Sequence, residues 1–371
     1  MNFDFSDDQN QLREAVQRWV SKAYTFERRR AIVAAGGFSR DAYAELADLG
    51  LCGLCVPDTH DGLGMGPVEA MVVMEQLGAG LVLEPLTQCL ISSAVLTQFA
   101  PDAVKAQWLP GISSGNAVVV LAHQERSNRY PMINFKAKAA VVLDGYTLTA
   151  TKNIVPAGDH ADAFLVPALL DDTLALFLVA STSTGVRTWG YGTQDGSRAA
   201  DISFDNAPAT LVTPFGIAAL ELAMDVGIAA TCAEGVGVMD KTLAVTADYL
   251  NTRKQFGVTI SSFQALRHLV ADMKMQLELA RSMSYYASMK LNAPAPERRA
   301  ALARAKVQLG QSMRFVGQQA VQLHGGIGVT DDYIVSHYFK KLTQLEITFG
   351  DTLHHLGEVS ERMTDTAGVF A

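Results

Sequence analysis

The spacing of apolar residues changes twice along this chain, and these changes constrain the fold more than any other feature. Up to about residue 116, apolar residues recur at the three-to-four-residue spacing of one helix face, as in residues 12–20. From Ala117 to about Thr213 the chain has short β-rich runs separated by turn signals such as Asp144-Gly145. Helical spacing returns after Phe215. The sequence therefore predicts an α+β protein that is mainly α.

Three domains follow from these changes. We expect an N-terminal helical domain over residues 1–116, a central β-barrel or β-sandwich over 117–214 and a C-terminal four-helix bundle over 215–371. Of the 371 residues, 49% are apolar, which is enough to bury a large core. Ser6 and Gln9 form a capping box that predicts the start of the first helix. Pro67 occupies a favourable first position of a later helix.

Charge and targeting signals limit the kinds of partner and compartment. The formal net charge is −8, which opposes binding to nucleic acid or to an anionic membrane surface. The N-terminus has no basic segment followed by an apolar run, and no apolar run is expected to span a bilayer. Four cysteines are too few for a disulfide framework in a chain of this length. These features predict a soluble, cytoplasmic protein.

Two short motifs resemble common ligand sites without the expected context. Residues 62–66 (GLGMG) lie between predicted helices, whereas a dinucleotide-binding loop follows a strand, so we expect a turn that links helices. His354, His355 and Glu358 match no standard zinc pattern, and adjacent histidines are expected to project to different sides of a helix. No metal site is predicted.

The last third contains two segments suited to an anionic ligand. Residues 251–257 (NTRKQFG) end a long predicted helix with Arg253 and Lys254, which could also be ordinary charges at a helix C-terminus. Residues 322–328 (QLHGGIG) follow another long helix and contain three glycines in four positions. Their free N–H groups could bind an anion, or the glycines could simply cap the helix.

The helical, β, helical order with these two segments resembles the acyl-CoA dehydrogenase family over essentially the whole chain. The resemblance implies FAD as cofactor, an acyl-CoA substrate and electron-transfer flavoprotein as electron acceptor. In that family the R-x-x-F-G and Q-x-x-G-G segments reach across a subunit interface to the adenosine and pyrophosphate of a neighbour's FAD. An arginine suits this role because it donates two parallel hydrogen bonds to a phosphate. Carried over, the resemblance assigns FAD contacts to Arg253, Gln255, Phe256, Gln264, Gln322, Gly325 and Gly326.

The same resemblance reveals a missing catalytic base. The family removes an α-proton with a carboxylate while the β-hydrogen leaves as hydride to the flavin. That base is usually the Glu of a Y-E-G-T segment, which here reads FGDT and places Gly350 at the Glu position. A second location known in the family falls at Gly227-Ile228 and also lacks a carboxylate. Asp351 and Glu234 are candidate displaced bases, and a capping or surface role is the competing interpretation of each.

The predicted β-domain also lacks residues that contact the flavin in the family. Residues 121–127 (LAHQERS) replace T-E-P-x-A-G-S-D, and residues 152–156 (KNIVP) replace K-x-W-I-T-N. The Trp and Thr that would touch the isoalloxazine ring are missing, and Pro156 has no N–H to donate. The chain's own flavin and base positions are therefore degraded, whereas the segments that serve a neighbour's FAD remain.

Residues 195–200, 337–341 and 349–351 are similar to the small subunits of heteromeric family members such as pimeloyl-CoA dehydrogenase. The leading hypothesis is therefore the small, non-basic subunit of an FAD-dependent acyl-CoA dehydrogenase, in a heterotetramer whose large subunit carries the catalytic Glu. The subgroup suggests dicarboxylic, ring-derived or steroid side-chain acyl-CoAs, as in fatty acid or steroid side-chain β-oxidation. Two alternatives stay open: a self-sufficient homo-oligomeric acyl-CoA dehydrogenase with Asp351 or Glu234 as base, and a non-enzymatic acyl-CoA-binding or scaffold protein.

Overall fold

The helices and strands follow the order that the sequence predicts. This computed structural model describes residues 4–127, 130, 134–143 and 145–366, with residues 364–366 described by their backbone alone; Asp144 of the predicted turn lies outside these ranges. The helices are α1 (Asp7–Lys22), α2 (Phe26–Ala34), α3 (Arg40–Asp48), α4 (Pro67–Ala79), α5 (Leu86–Phe99), α6 (Asp102–Ser113), α7 (Gly216–Thr252), α8 (Gln264–Lys290), α9 (Ala295–His324), α10 (Ile334–Ile347) and α11 (Thr352–Thr366). The strands are β1 (Val119–Leu121), β2 (Lys138–Val142), β3 (Gly145–Pro156), β4 (Ala163–Leu170), β5 (Thr173–Ala180), β6 (Val186–Gly192), β7 (Arg198–Thr213), β8 (Lys254–Gln255) and β9 (Val258–Thr259). The predicted fold class is confirmed, and the domain boundaries at 116 and 214 stay predictions.

Local start signals act as the sequence predicts. Ser6 Oγ accepts a hydrogen bond from the Gln9 backbone N–H at 3.2 Å, and the Ser6 N–H donates to Gln9 Oε1 at 3.0 Å. This capping box satisfies two of the N–H groups that a helix start leaves without a partner. Pro67 is the first residue of α4, where its missing N–H costs no helical hydrogen bond.

Helix α7 is long and apolar, and its length agrees with the predicted helical stretch over residues 218–251. It has 37 residues and contains an 18-residue window with a mean hydropathy of 1.5, so it could cross a membrane by length and composition. Polar residues such as Asp225 and Thr231 keep the uninterrupted apolar runs of α7 short, as the sequence indicates, whereas the mean over 18 residues stays high. However, 78% of that window is buried inside the protein, which is what the core helix of a folded domain shows.

One compact unit consists of Met1–Arg29, Met71–Val82 and Ile228–Ala371. Its core is formed by apolar residues of α7, α8, α9 and α10, and α11 packs against α9. In this unit α4 and α7 approach so closely that glycines are required on both helices. A Cβ at Gly78 would overlap the backbone of Glu234, and a Cβ at Gly237 would overlap that of Glu75. The bundle is therefore held by backbone contact as well as by side-chain packing.

The second compact unit consists of Arg30–Ala70 and Leu83–Gly227 and contains the main sheet. The strand order is β1-β4-β2-β3-β7-β5, with β6 paired to β7 and a further pairing of β4 with β5. Because β4 pairs with both β2 and β5, the sheet closes on itself as a barrel. In β3, Leu148, Ala150 and Lys152 are buried while Thr149 and Thr151 are exposed, so Lys152 points into the barrel.

Candidate functional site

The two segments assigned to FAD lie at the same end of the helical bundle. Tyr249, near the end of α7, donates from its hydroxyl to the carbonyl oxygen of His324 at 3.3 Å. The rings of these two residues stack with centroids 4.3 Å apart. His324 ends α9 directly before Gly325, and Arg253 follows Tyr249 by four residues. The structure therefore brings together two segments that are about 70 residues apart in the sequence.

The Arg253 segment continues into a small exposed hairpin. Strands β8 and β9 pair around a two-residue turn, Phe256-Gly257, in which both residues have positive φ, 54° and 82°. Asn or Gly is the usual first residue of such a turn, because a side chain like that of Phe is strained there. The Phe256 side chain is nevertheless 90% exposed. A large apolar side chain held in the open at a strained position is typical of a group that binds another surface.

The polar side chains of this segment are open to solvent. Arg253, Gln255 and Gln264 are all exposed, and Gln264 begins α8. Among the residues that the structure describes, no ion pair or side-chain hydrogen bond engages the Arg253 guanidinium. Its five N–H donors are therefore available to an anionic ligand.

The glycine loop after α9 is equally open. Gly325 has φ 64° and ψ −142°, a conformation that residues with a Cβ rarely adopt. A Cβ built at Gly325 or Gly326 would meet no atom of the protein within 4 Å. Gln322, one turn earlier, is exposed. The Gly325 N–H caps the end of α9, because it donates to the carbonyl oxygens of Gln322 and Val321. The exposed backbone at Gly326 is the part of the loop that a phosphate could approach.

The position of the usual catalytic Glu is closed. Gly350 has φ 106°, and a Cβ there would lie 2.5 Å from His355 Nε2 and 2.6 Å from His354 Cδ2. The His355 ring is only 1% exposed, and its Nε2 donates to the Phe349 carbonyl oxygen at 2.9 Å. The chain therefore lacks a carboxylate at position 350, and its present neighbours leave no room for one.

Both candidates for a displaced base have structural partners. Asp351 precedes α11, and its Oδ1 accepts a hydrogen bond from the His354 N–H at 2.8 Å, as an N-cap residue does. Glu234 on α7 is buried, and its Oε1 lies 2.6 Å from Lys341 Nζ. Each carboxylate is thus engaged by groups of its own chain rather than left free to take a substrate proton.

His354, His355 and Glu358 lie closer together than the sequence predicts. The two rings are 5.0 Å apart, and one ligand atom from each of the three residues lies within 4.8 Å of the others. The expectation that the histidines diverge is wrong because Glu358, four and three residues later, reaches both from one helix face. A metal ion would have to share this site with Arg299, whose Nη2 is 3.1 Å from Glu358 Oε1.

The charges around Glu358 stabilise its ionised form. Burial alone would raise its pKa, but the hydrogen bond from His355 and the positive charge of Arg299 outweigh burial and lower the pKa to about 2. His355 Nδ1 lies 3.3 Å from Glu358 Oε2, while its Nε2 contacts the Phe349 carbonyl oxygen. The cluster is therefore a network of polar contacts around the Arg299–Glu358 ion pair, next to the closed base position.

In the second unit, the segments that replace the flavin-binding motifs form a buried ion pair. Lys152 is fully buried, and its Nζ lies 2.7 Å from Glu125 Oε1 and donates to the Pro167 carbonyl oxygen at 2.9 Å. Burial lowers the pKa of Lys152 to about 8. Burial, together with the charge of Lys152, lowers the pKa of His123 to about 4. These polar groups are engaged inside the barrel.

The surface next to this pair does not offer the family's flavin contacts. β3 bulges between Lys152 and Val155, and Ile154 stands half exposed on the bulge with φ 52°. Its N–H donates to Asp201 Oδ1 at 3.1 Å. Pro156 has no N–H. At the positions where the resemblance requires an aromatic ring and a hydroxyl, the chain has neither.

Sequence reasoning missed the partners that decide these environments. Arg299 beside Glu358, Lys341 beside Glu234 and Tyr249 beside His324 are separated from their partners by about 60 to 110 residues. Charge or aromatic pairs at such separations leave no local pattern. Only the spacing of His354, His355 and Glu358 carried a usable signal, since residues three and four apart share a helix face.

Comparison with known proteins agrees with this geometry. Residues 6–116 match the family description "Acyl-CoA dehydrogenase, N-terminal domain", and residues 216–364 match "Acyl-CoA dehydrogenase, C-terminal domain". The chain is 27% identical over 340 residues to acyl-CoA dehydrogenase FadE27 of Mycobacterium tuberculosis, covering 89% of each protein. It is similar to the ChsE4-ChsE5 complex of M. tuberculosis, with a TM-score of 0.91 and 27% identity over 99% of this chain and 100% of that one. It is also similar to a variant of the Tcur3481-Tcur3483 steroid ACAD, with a TM-score of 0.89 and 27% identity over 97% of this chain and 99% of that one.

Fold, motif placement and these matches converge on one family. The matched regions cover both helical parts of the chain, and the strands of the β-barrel come between them in the sequence. The chain belongs to the acyl-CoA dehydrogenase family of oxidoreductases, whose cofactor is FAD.

Proposed function

We propose that this chain is the small, non-basic subunit of a heteromeric acyl-CoA dehydrogenase, which introduces an α,β double bond into an acyl-CoA thioester. The observation that carries the proposal is a contrast within one helical unit. Position 350 is closed by His354 and His355. The Arg253 guanidinium is exposed and has no partner among the described residues, and Gly325 and Gly326 are exposed.

In this assembly the chain's own residues complete a cofactor site on a partner. Arg253 would bind the pyrophosphate through its guanidinium, and the exposed backbone at Gly326 would approach it beside the Gly325 cap. Phe256 packs against the cofactor, while Gln255, Gln264 and Gln322 supply polar contacts. When bound, FAD would supply the acceptor for the hydride that leaves the β-carbon. The base that takes the α-proton belongs to the large subunit.

The names of two relatives support a heteromer. "ChsE4-ChsE5 complex" and "Tcur3481-Tcur3483 steroid ACAD" each pair two different chains. The second name also supports a bulky acyl group, so we propose a steroid side-chain, ring-derived or dicarboxylic acyl-CoA as substrate. We further propose a heterotetramer in the cytoplasm that passes electrons to electron-transfer flavoprotein.

The Arg253 contact tests this proposal directly. In the complex with the large subunit, Arg253→Gln should lower the affinity for FAD roughly tenfold or more, because a charge-assisted bidentate contact is lost. The stability of the chain should change by less than about 0.5 kcal/mol, since this exposed guanidinium supports no other group. FAD content after gel filtration and the melting temperature are the two measurements.

Arg18→Gln is the matched control. Arg18 lies on α1 and, like Arg253, is exposed and has no side-chain partner among the described residues. The same charge loss at this position should leave FAD retention unchanged. Equal FAD loss in both variants, or none in Arg253→Gln, would count against the proposal.

A further inference from the structure

The first compact unit contains a cleft lined mainly by residues of α1, α4, α7, α8 and α10. Its volume of about 780 Å³ lies in the range of small-molecule sites. All of its lining residues belong to Met1–Arg29, Met71–Val82 or Ile228–Ala371, the three segments of that unit. None of them is a residue assigned to a neighbour's FAD or considered as a base. The lining residues therefore have no part in the proposed function.

Glu75 of α4 places a buried carboxylate at the wall of this cleft. Its exposed fraction is 7%. Its Oε2 lies 3.3 Å from Arg281 Nη1, whereas its Oε1 has no hydrogen-bond partner among the described residues. The close approach of α7 fixes the Glu75 backbone, since a Cβ at Gly237 would overlap its carbonyl oxygen. A buried acceptor without a partner is unfavourable, so a donor from outside the chain would stabilise this arrangement.

One guanidinium serves three carboxylates at the same wall. Besides its contact with Glu75, Arg281 places Nη2 3.1 Å from Asp240 Oδ1. Its Nε lies 3.7 Å from Glu278 Oε2, and Lys274 Nζ contacts the other oxygen of that carboxylate at 2.6 Å. Two cations therefore face three carboxylates when Glu75 is ionised. This group of five residues would accept one more positive charge.

The titration of Glu75 agrees with this shortage of positive charge. Burial raises the pKa of its carboxyl to about 7, and Arg281 lowers the pKa without offsetting burial. Asp240 and Glu278 raise the pKa further, while Arg13 lowers it. Near pH 7 about half of the protein molecules therefore carry an ionised Glu75. A cation bound at Oε1 would favour that form.

The other charged residues of the cleft are Arg13 and Glu14 on α1 and Lys241 on α7. Glu14 and Lys241 are exposed. Arg13 donates from Nη2 to Asn10 Oδ1 at 2.7 Å, and its guanidinium carbon lies 5.4 Å from the centre of the Phe5 ring. The net charge of these three residues, +1, offsets the −1 of the group at the wall. The cleft as a whole is therefore neutral and does not concentrate phosphates or other anions.

Aromatic side chains form a further part of the lining. They are Tyr24, Phe26, Tyr285 and Tyr338. Tyr338 is buried, and its hydroxyl donates to the Ala79 carbonyl oxygen at 3.2 Å, so its polar group is already satisfied. The face of an aromatic ring attracts an ammonium group and offers apolar surface to the body that carries it. Aromatic rings beside a carboxylate oxygen that lacks a donor are suited to an organic cation.

We propose that this cleft binds an organic ammonium ion, an amine cation carried on an apolar body. The ammonium group donates a hydrogen bond to Glu75 Oε1, and the apolar body packs against the aromatic lining. The proposal is independent of the subunit role, because it concerns residues that contact neither the substrate nor the cofactor in that account.

Three small molecules of similar shape and different charge test this inference. Calorimetry of the purified protein at pH 8 should show saturable binding of 2-phenylethylamine that is at least about tenfold tighter than binding of neutral 2-phenylethanol, because a charge-assisted hydrogen bond is lost in the alcohol. Anionic 3-phenylpropionate should not bind. The absence of saturable amine binding would overturn the inference, and so would an alcohol or a carboxylate that binds as tightly as the amine.

The pH dependence of amine binding tests whether Glu75 is the acceptor. Its carboxyl takes up a proton with a pKa of about 7, whereas the amine stays protonated from pH 6 to pH 8. The amine binds the ionised carboxylate, so its affinity should be about tenfold weaker at pH 6 than at pH 8. An affinity that is equal at the two pH values would contradict the assignment.

One substitution and a matched control locate the site. Glu75→Gln keeps the shape of the side chain, and at pH 8 it should weaken amine binding about tenfold or more and remove the pH dependence. Glu14→Gln removes an exposed carboxylate from the same cleft and should change the affinity by less than about twofold. The melting temperature shows whether each variant is folded, and the pH dependence of the unmodified protein decides if Glu75→Gln is not. Equal affinities in a folded Glu75→Gln variant and the unmodified protein would overturn the inference.

Discussion

Two sets of residues in this chain serve the same family reaction and have opposite character. Arg253, Phe256 and the Gly325 loop are exposed and make few contacts within the chain. Gly350 and Lys152, by contrast, are enclosed by groups of their own unit. Buried polar groups are almost always satisfied internally, whereas exposed groups hydrogen-bond to water and so remain available to a partner molecule. Where this chain lacks the family's base and flavin contacts, other side chains of the same unit occupy the space, as His355 does at position 350.

The buried pair of Lys152 and Glu125 should show the largest effect. Lys152→Met leaves the Glu125 carboxylate buried and unpaired, and we expect a loss of about 3 to 5 kcal/mol in the free energy of unfolding. The double variant Glu125→Gln, Lys152→Met removes both charges and should recover part of that loss. Urea denaturation measures the free energy of unfolding of both variants. A Lys152→Met protein as stable as the wild type would show that Glu125 does not depend on Lys152 for its charge compensation.

Placing a Glu at the closed base position should destabilise the protein without restoring activity. Gly350→Glu forces a side chain into the space of His355 at positive φ, so we expect a loss of about 3 kcal/mol and no dehydrogenase activity in the chain alone. Gly357→Glu on α11 is the matched control, because a Cβ there meets no atom within 4 Å. Denaturation and flavin reduction by acyl-CoA are the measurements. A stable, active Gly350→Glu protein would break the comparison.

The ion network around Glu358 should appear as acid sensitivity. Its folded-state pKa, about 2, lies below the ordinary value near 4.5, so the stabilisation is present above pH 4.5 and is lost as the pH falls towards 2. We expect Glu358 to contribute about 2 to 3 kcal/mol at neutral pH. Glu358→Gln should be less stable than the wild type at pH 7 and equally stable near pH 2. A constant difference at all pH values would contradict this.

Asp351→Asn should have the smallest effect. Asn caps a helix about as well as Asp, so stability should change by less than about 0.5 kcal/mol, and turnover of the assembled enzyme should remain. If Asp351 were the base, the same change would lower turnover by a factor of roughly 100 or more. Glu234→Gln, measured in the same assay, addresses the other candidate. A large loss of turnover at normal stability in either variant favours the self-sufficient enzyme.

Much of the fold could be predicted because its signals are local. The capping box at Ser6, the proline at Pro67 and the change of apolar spacing near Ala117 each act through neighbouring residues. The extent of α7 was also predicted, because its helical spacing is continuous, whereas isolated polar residues in the sequence concealed how apolar and how buried the helix is. Local sequence patterns therefore predict the order of the helices and strands, but not how deeply each one is buried.

The sites were predictable only where a motif is continuous in the sequence. Arg253 and Gly325 belong to short segments, so they could be named, whereas their proximity depends on the contact of Tyr249 with His324. The closure of position 350 could not be predicted from Gly350 alone, because it depends on the buried rotamer of His355. Lys152 and Glu125 meet only because the barrel turns both inward.

The central claim is that this chain completes a cofactor site whose base lies on another chain. The most direct measurement is FAD content and acyl-CoA desaturation for the chain expressed alone and co-expressed with its large subunit. The account predicts a colourless, inactive chain alone, and an active complex that holds fewer FAD molecules than polypeptide chains. A chain that binds FAD stoichiometrically by itself and desaturates acyl-CoA would contradict it.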